Sequence, residues 1–409
     1  MADSEPAVYS APVAPGLLAA TTQAIRPNTK LIALLSIGHF VVDLNQGCLP
    51  AMLPFLKTAH QLSYSAVATI VLAASVASSI VQPVFGYFAD QTARRWMLPA
   101  SVLLTGGGFA LMGLAPGYAA LLALVIAMGL GAAAYHPEAY KTASSVAGER
   151  KATALSWFSL GGNVGIALGP PVITALVTVV GVTGSLGLLA PTLVVSLLLL
   201  AVLPAFSQSA APRAAAAAAA RGVNMPRAMA VLILVVTIRS WTTLGFTTFV
   251  PFYYIDTLGA DPQLVGPLLF VFLGAGAAGT VIAGPLADRW GPRAFMQWVL
   301  LAALPFGLLF LLARGVLAFV MLGIFGALLT SSFTVSVVLG QAYLPRHAGM
   351  ASGLIVGLAI GAGGLGVTAL GWVADRYGLP AALWISALTP LLAVVATRFL
   401  PAPRLQEVR

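Results

Sequence analysis

The sequence predicts an all-α membrane protein with twelve transmembrane helices arranged as two halves of six. Of its 409 residues, 59% are hydrophobic and only 8% are charged, whereas soluble domains carry about 25% charged residues. The mean hydropathy is +0.97. Apolar runs of roughly 20 residues recur along the whole chain, and each is long enough to cross a ~30 Å hydrocarbon core as a helix.

The apolar runs divide the chain into segments. They cover residues 30–56, 64–88, 96–114, 119–144, 152–180 and 185–205, and then 228–256, 263–287, 295–313, 316–340, 350–373 and 381–400. We therefore predict a flexible cytoplasmic tail over 1–27, an N-terminal six-helix half over 28–206, a cytoplasmic linker over 207–226, a C-terminal six-helix half over 227–400 and a cytoplasmic tail over 401–409.

The basic residues are distributed unevenly between the two sides of these runs. One side carries Arg26, Lys30, Arg94, Arg95, Lys141, Arg150, Lys151, Arg213, Arg221, Arg227, Arg289, Arg293, Arg346, Arg398, Arg404 and Arg409, and the other carries only Lys57, Arg314 and Arg376. Loops rich in Lys and Arg stay in the cytoplasm. The pattern predicts a multi-pass protein of the cell inner membrane with both termini cytoplasmic. The net charge of +9 then reports topology, and no nucleic-acid partner is expected.

Few features of the sequence suggest chemistry at a cofactor. The single cysteine, Cys48, excludes an internal disulfide. Two histidines and two carboxylates lie in the first and fourth runs, but they lack the paired spacing typical of a metal site. No phosphate-binding loop or nucleophile–base pair is present. We expect no metal, no cofactor and no enzymatic activity.

The two halves repeat each other. GYFADQTARR, which begins at Gly86, matches GPLADRWGPR, which begins at Gly284. A second match places SWFSLGGNVG at the opening of the fifth run beside SGLIVGLAIG at the opening of the eleventh. Two similar halves joined by a linker are typical of transporters that rock around a central site.

These motifs carry a resemblance to a known family. The G-x-x-x-D-x-x-x-R-R pattern after the second run is similar to the cytoplasmic signature of the major facilitator superfamily, and the resemblance covers essentially the whole chain. SIGHFVVDLNQG, AYHPEAYK and WFSLGGNVGIALGP together resemble the fosmidomycin-resistance type of exporter. The resemblance implies export of an antibiotic such as fosmidomycin, a phosphonate, in exchange for protons.

Two carboxylates lie well inside the apolar runs, Asp43 and Glu138. Asp43 follows Lys30 by about 20 Å of helix, which places it near mid-membrane, and His39 and Gln46 share its helical face. A buried carboxyl favours its neutral form and can exchange protons. We predict proton coupling by Asp43, Glu138 and His39. The alternative is a hydrogen-bond network that only joins helices.

Arg239 is the only basic residue placed deep in an apolar run. Its planar fork suits carboxylate or phosphonate oxygens. Two partners are open for it, an anionic substrate or the carboxylates of Asp43 and Glu138. The predicted substrate-binding residues are Arg239, Gln46, Tyr135, His136, Asn163 and Trp241.

Residues of the repeated motifs are predicted to control opening and closing. They are Gly86, Asp90, Arg94, Gly284, Asp288 and Arg289 in the cytoplasmic loops, and Gly165, Gly169 and Pro170 in the fifth run. The alternatives are plain anchoring of the arginines on the cytoplasmic side and close helix packing by the glycines.

We therefore predict a secondary active transporter that works by alternating access and exports a small organic compound or antibiotic in exchange for protons. Its partners are the small-molecule substrate, protons and the lipid bilayer, and we expect it to act as a monomer. The alternative on the same scaffold is a proton-coupled importer of a sugar or an organic acid. A membrane receptor would need a signalling domain, and neither tail is expected to supply one.

Overall fold

The computed structural model describes residues 28–91, 94–147, 151–207 and 223–402. We number the membrane-crossing helices as spans 1 to 12. In the first half they are span 1 (Thr29–His60), span 2 (Tyr64–Tyr87), span 3 (Met97–Leu114), span 4 (Tyr118–Val146), span 5 (Lys151–Val180) and span 6 (Leu189–Ala201). In the second half they are span 7 (Pro226–Thr257), span 8 (Pro262–Ala287), span 9 (Pro292–Leu312), span 10 (Gly315–Tyr343), span 11 (Met350–Tyr377) and span 12 (Leu379–Thr397).

Within the described residues, 11 helical runs are long and apolar enough to cross a membrane. One of them, Leu155–Ala201, has 47 residues, or about 70 Å of helix, which is twice the thickness of a hydrocarbon core. It is interrupted by the 3-10 segment Gly181–Leu188, so it makes two crossings. The predicted all-α membrane fold with twelve crossings is confirmed. Most of the predicted linker, residues 208–222, lies outside the described part of the chain.

The ends of the helices follow from local sequence. The side chain of Asn28 accepts a hydrogen bond from the N–H of Leu31 at 3.2 Å and caps span 1. Gly291, between spans 8 and 9, has a φ of 81°, and Gly378, between spans 11 and 12, has a φ of 85°. Residues with a side chain rarely adopt such angles, so these glycines permit the abrupt reversals that keep consecutive spans antiparallel.

Spans 1 and 5 pack with their backbones in contact. A methyl group on Gly169 would lie 2.6 Å from the backbone N of Cys48, and one on Gly165 would overlap the carbonyl oxygen of Phe40. Such small-residue stripes allow close helix approach in membranes. Because the two helices touch, the polar residues of span 1 lie directly against span 5.

The two halves meet along spans 2 and 11. We call the end of the molecule at which spans 1 and 7 begin the inner end, and the opposite one the outer end. A methyl group on Gly371 would lie 2.6 Å from Ala68 near the outer end, and one on Gly357 would lie 2.8 Å from Ser79 toward the inner end. Both helices contain a π-helical stretch where they face each other toward the inner end, Val76–Ile80 and Leu354–Ala359.

The halves also meet along spans 5 and 8, but only in the outer part. A methyl group on Gly266 would lie 2.8 Å from Pro171. The same helix faces continue toward the inner end as exposed side chains: Leu160 is 48%, Val164 39% and Val281 77% exposed. The space between the halves therefore opens at the inner end and is closed at the outer end.

Candidate functional site

Two carboxylates of the second half close the outer end. Asp375 accepts hydrogen bonds from the backbone N–H groups of Tyr64 and Ser65 at 2.8 and 2.9 Å, and from the Ser65 hydroxyl at 2.5 Å. Asp256 accepts one from the Tyr64 hydroxyl at 2.7 Å and pairs with Lys57 at 3.3 Å. Asp375 belongs to span 11, and its carboxylate lies against the N-terminus of span 2, where a negative charge is favoured. We call these contacts the outer latch.

The sequence did not predict the outer latch; it placed the gating residues at the inner loops and in span 5. The side chains of Asp90 and Asp288 lie outside the described part of the structure. Arg289 is exposed, and a methyl group on Gly86 or Gly284 would meet no neighbour within 4 Å. The gating role of these loop residues stays a prediction.

Weakening the outer latch is expected to expose the outer end. Charge-assisted hydrogen bonds contribute about 1.5–3 kcal/mol each, so Asp375→Asn should shift the population toward the outward-open form by about tenfold. The probe is a cysteine at Ala68, fully buried against span 11, in a chain whose native thiol is removed by Cys48→Ser. A membrane-impermeant maleimide should label it severalfold faster in the Asp375→Asn variant.

The matched control is Asp261→Asn, because this exposed carboxylate lies at the same end and only accepts from the nearby N–H of Gln263. It should leave the labelling rate unchanged. Equal labelling of Ala68→Cys with and without Asp375→Asn would show that these bonds do not hold the outer end closed.

In mid-membrane, Asp43 lies between two histidines from different helices. Its Oδ2 is 3.2 Å from Nε2 of His39, one turn earlier on span 1. Its Oδ1 is 3.1 Å from Nε2 of His136 on span 4. Gln46 donates to the same Oδ1 at 3.0 Å. We call His39, Asp43 and His136 the His–Asp–His cluster. The sequence predicted the pairing of Asp43 with His39 but assigned His136 to the substrate.

The other nitrogen of each imidazole is directed at a backbone carbonyl. Nδ1 of His39 lies 2.9 Å from the oxygen of Phe158, and Nδ1 of His136 lies 2.7 Å from the oxygen of Ala132. A carbonyl oxygen only accepts hydrogen bonds, so both Nδ1 atoms carry a proton. The protonation of each ring is therefore decided at Nε2, the atom that faces Asp43.

This arrangement places two protons beside one carboxylate. Without a proton at Nε2, a ring lone pair would face a carboxylate oxygen, and neither atom could donate. Each of the two contacts is therefore a hydrogen bond only while a proton lies in it. With both contacts filled, two imidazolium groups surround one carboxylate. Loss of one proton leaves the cluster neutral. The cluster can thus bind and release a proton inside the membrane.

The surroundings hold the cluster in place. The ring of His39 stacks on Phe158 with centroids 4.3 Å apart. The hydroxyl of Tyr135 donates to the backbone oxygen of Leu35 at 2.9 Å and so links spans 4 and 1. A methyl group on Gly162 would lie 2.5 Å from both Oδ2 of Asp43 and Nε2 of His39. Gly162 is not among the residues predicted from the sequence, which named Gly165 and Gly169 of the same helix.

The cluster borders the space between the halves. The side chain of Asp43 is 12% exposed and that of His136 is 18% exposed, so water reaches its edge. Tyr140, on the next turn of span 4, is 41% exposed, and its hydroxyl lies 3.2 Å from the Ser159 hydroxyl of span 5.

The donor types of the cluster also occur in metal sites. The ligand atoms of its three residues lie within 4.8 Å of one another. The two rings engage opposite oxygens of Asp43, however, so the carboxylate occupies the position between them that a metal ion would need. The arrangement is that of a carboxylate paired with two imidazoles, and the absence of a metal stays a prediction.

Glu138 lies apart from the cluster. It is fully buried, and neither carboxylate oxygen has a side-chain hydrogen-bond partner among the described residues. The charges that act on it are those of Lys141, Arg95 and Arg94. This places it with the basic residues of the inner end. The structure therefore associates Glu138 with the inner loop and not with Asp43.

Arg239 is buried on span 7, with 5% of its surface exposed. It follows Pro226, the first residue of the span, by about 20 Å of helix, the same depth as Asp43 in span 1. Its guanidinium lies 5.8 Å from the ring centre of Phe333 on span 10. Its Nε has no hydrogen-bond partner, and no described carboxylate lies within 4.0 Å.

The remaining predicted substrate residues take different positions. The indole of Trp241 donates to the carbonyl oxygen of Ala362 at 3.0 Å and packs on Gly366, which ties span 7 to span 11. Asn163 is exposed on span 5 and lies next to Gly162 on the side that opens at the inner end. Pro170, which the sequence predicted as a gating residue, lies against Gly266 of span 8, where the halves touch.

Two six-helix halves that enclose a polar, mid-membrane site and are closed at one end define a membrane transport protein. A family model described as Major Facilitator Superfamily matches residues 35–367. The chain belongs to this family, whose members are transporters and not enzymes.

Individual relatives agree with this assignment. The chain is 32% identical over 399 residues to the fosmidomycin resistance protein of Escherichia coli (strain K12), with 96% of this chain and 97% of that protein covered. It is 33% identical over 377 residues to the uncharacterized MFS-type transporter YfnC of Bacillus subtilis (strain 168), with 90% and 91% covered. The resemblance to the fosmidomycin-resistance type is confirmed.

Solved structures agree on the fold. A bacterial homologue of the human lysosomal transporter Spinster, in an inward-facing and unoccupied conformation, superposes with a TM-score of 0.72 at 16% identity, covering 90% of this chain and 97% of that one. At this identity the likeness concerns the fold alone.

Proposed function

We propose that this protein exports a small organic compound across the cell inner membrane in exchange for protons, with both termini in the cytoplasm. The His–Asp–His cluster is the proton site. The observation that carries the proposal is the pair of Nε2–carboxylate contacts, 3.2 and 3.1 Å long, each of which needs a proton. A titratable cluster at mid-membrane depth that borders a cavity is the usual position of a proton relay in a transporter.

The closed outer end and the open inner end support alternating access. A substrate that enters from the inner end reaches the edge of the cluster, and the outer latch separates it from the other side. Breaking the latch while the inner ends of spans 5 and 8 come together would turn the site outward. Protons can then reach His136 and Asp43 from the outer side.

The substrate class rests on the relative with 32% identity over 399 residues, which is named for resistance to fosmidomycin. We therefore use fosmidomycin as the probe. Export lowers its concentration in the cell, so expression of the chain in a host without its own exporters should raise the concentration of the compound needed to stop growth.

Transport direction is tested in everted membrane vesicles, whose interior corresponds to the outside of the cell. Respiration acidifies the interior. An exporter that exchanges substrate for protons should accumulate labelled fosmidomycin inside, and addition of the compound should make the interior less acidic. A proton-coupled importer should not accumulate it under the same gradient.

Two controls sharpen this experiment. A protonophore should abolish accumulation, because the proton gradient is the only source of energy. A chelator of divalent metal ions should leave it unchanged, because the cluster is proposed to hold protons and not a metal. Accumulation that survives the protonophore contradicts proton coupling.

A further inference from the structure

We infer that Arg239 forms a binding site for the oxyanion group, a phosphonate or carboxylate, of the transported compound. This inference rests on the proposed transport of a small organic compound and adds that the compound is an anion. The carrying observation is an arginine residue that is 95% buried in mid-membrane, with an unpartnered Nε and without a carboxylate partner among the described residues.

Both carboxylates that the sequence offered as partners for Arg239 are engaged elsewhere. Asp43 is shared by His39 and His136 at 3.2 and 3.1 Å. Glu138 lies in the field of the basic residues at the inner end. A structural ion pair would require one of them within reach of the guanidinium, and no described carboxylate lies within 4.0 Å of it.

An uncompensated arginine in the membrane is costly. Insertion of an Arg at the centre of a membrane helix costs about 2.5–3.5 kcal/mol. Snorkelling offers no relief, because the side chain lies about 20 Å of helix from the start of span 7. A bound anion would compensate the charge at each transport cycle.

A route to Arg239 exists along span 10. The guanidinium lies beside Phe333, and the next residue, Thr334, is exposed, as is Val338 one turn further on, at 53%. This face lies between the contact of span 10 with span 8, at Thr330 and Gly276, and its contact with span 11. Spans 8 and 11 pack against spans 5 and 2 of the first half. The exposed face therefore looks into the space between the halves.

The chemistry of the Arg239 guanidinium determines which ligands it can bind. Arginine stays charged at all physiological pH values and offers paired N–H donors to two oxygens of one anion. Phosphonate and carboxylate groups present such oxygens, while a neutral ester does not carry the charge. An oxyanion at Arg239 would lie at the same depth as the His–Asp–His cluster but in the opposite half.

The test compares fosmidomycin with its neutral phosphonate diester on purified protein in detergent. Ligand binding is followed by calorimetry and by the shift of the thermal unfolding midpoint. The wild type should bind fosmidomycin and not the diester. Arg239→Gln should lose binding, and Arg239→Lys, which keeps the charge without the fork, should bind at least tenfold more weakly. Arg376→Gln, which removes an exposed arginine at the outer end, should bind like the wild type.

The substrate-free proteins separate the site from a structural role. If the charge is uncompensated, Arg239→Gln should unfold at the same or a higher temperature than the wild type. If Arg239 is a counter-ion, it should unfold at a lower temperature, and neutralising Asp43 or Glu138 should restore the midpoint. That second result overturns the inference, as does wild-type affinity for fosmidomycin in the Arg239→Gln protein.

Methylphosphonate and acetate are tested in the same way as minimal oxyanions. A wild-type protein that binds none of the three anions contradicts the anion site. Energised accumulation of fosmidomycin at the wild-type level by the Arg239→Gln variant would leave the proposed exporter intact and refute only the anion site. Binding of fosmidomycin by the wild type without energised accumulation would refute the proposed exporter and leave the anion site intact.

Discussion

Replacement of Asp43 by asparagine is expected to reduce energised accumulation of fosmidomycin in everted vesicles to the level of vesicles without the protein. The amide cannot hold protons in two Nε2 contacts, because one of its two positions is a donor. The cluster then has no carboxylate to stabilise an imidazolium, and uptake and release of the coupling proton are lost. Exchange of labelled for unlabelled substrate, which needs no net proton movement, should persist.

Persistence of exchange is the feature that separates a coupling role from a structural one. Asparagine has nearly the same volume and keeps an oxygen that can accept from Gln46, so we expect a loss of stability of only about 1–3 kcal/mol. Asp261→Asn, an exposed carboxylate at the outer end, is the matched control and should accumulate substrate normally. Loss of both accumulation and exchange in a folded Asp43→Asn protein would instead place Asp43 in the transport step itself. Normal accumulation would remove it from the mechanism.

The sequence led to Asp43 and Arg239 for a simple physical reason. A charged group within an apolar run is costly whichever neighbour its side of the helix faces, so its position in the sequence alone suggests a function. The spans could be predicted because a run of about 20 apolar residues is recognisable without knowledge of its neighbours, and the two halves because the motif at Gly86 repeats at Gly284.

The partnership of Asp43 with His136 could not be derived in the same way. The two residues lie on different helices, and their contact depends on how spans 1 and 4 are rotated against each other. That rotation is set by packing, including the bond from the Tyr135 hydroxyl to the Leu35 carbonyl. Helical spacing can only group residues of one helix, so it could not relate His136 of span 4 to Asp43 of span 1.

The outer latch was missed for the opposite reason. Asp256 and Asp375 lie at the ends of spans, where a charge costs little and carries no signal. Only the fold brings Asp375 to the N-terminus of span 2, more than 300 residues away along the chain. The inner loop motifs stood out because they repeat, whereas the acids of the outer latch have no repeated counterpart.

Replacement of Gly162 by alanine is expected to abolish proton-coupled accumulation with little loss of folding. The added methyl group would lie 2.5 Å from Oδ2 of Asp43 and 2.5 Å from Nε2 of His39, closer than non-bonded atoms approach. Both neighbours are side-chain ends, so they can move apart and the backbones of spans 1 and 5 can stay in place. The contact between His39 and Asp43 must then lengthen, and the proton it holds loses one of its two partners.

Two other glycines show whether the effect is specific. At Gly165 the added methyl would overlap a backbone carbonyl of span 1, which cannot move alone, so Gly165→Ala should lower the free energy of unfolding by about 1–3 kcal/mol. At Gly353 a methyl meets nothing within 4 Å, and Gly353→Ala should leave both the free energy of unfolding and the vesicle accumulation unchanged. Thermal unfolding and vesicle accumulation are measured on all three variants. If Gly162→Ala accumulates fosmidomycin like Gly353→Ala, the His39–Asp43 contact is not needed for coupling. If it unfolds like Gly165→Ala, the stripe acts through packing alone.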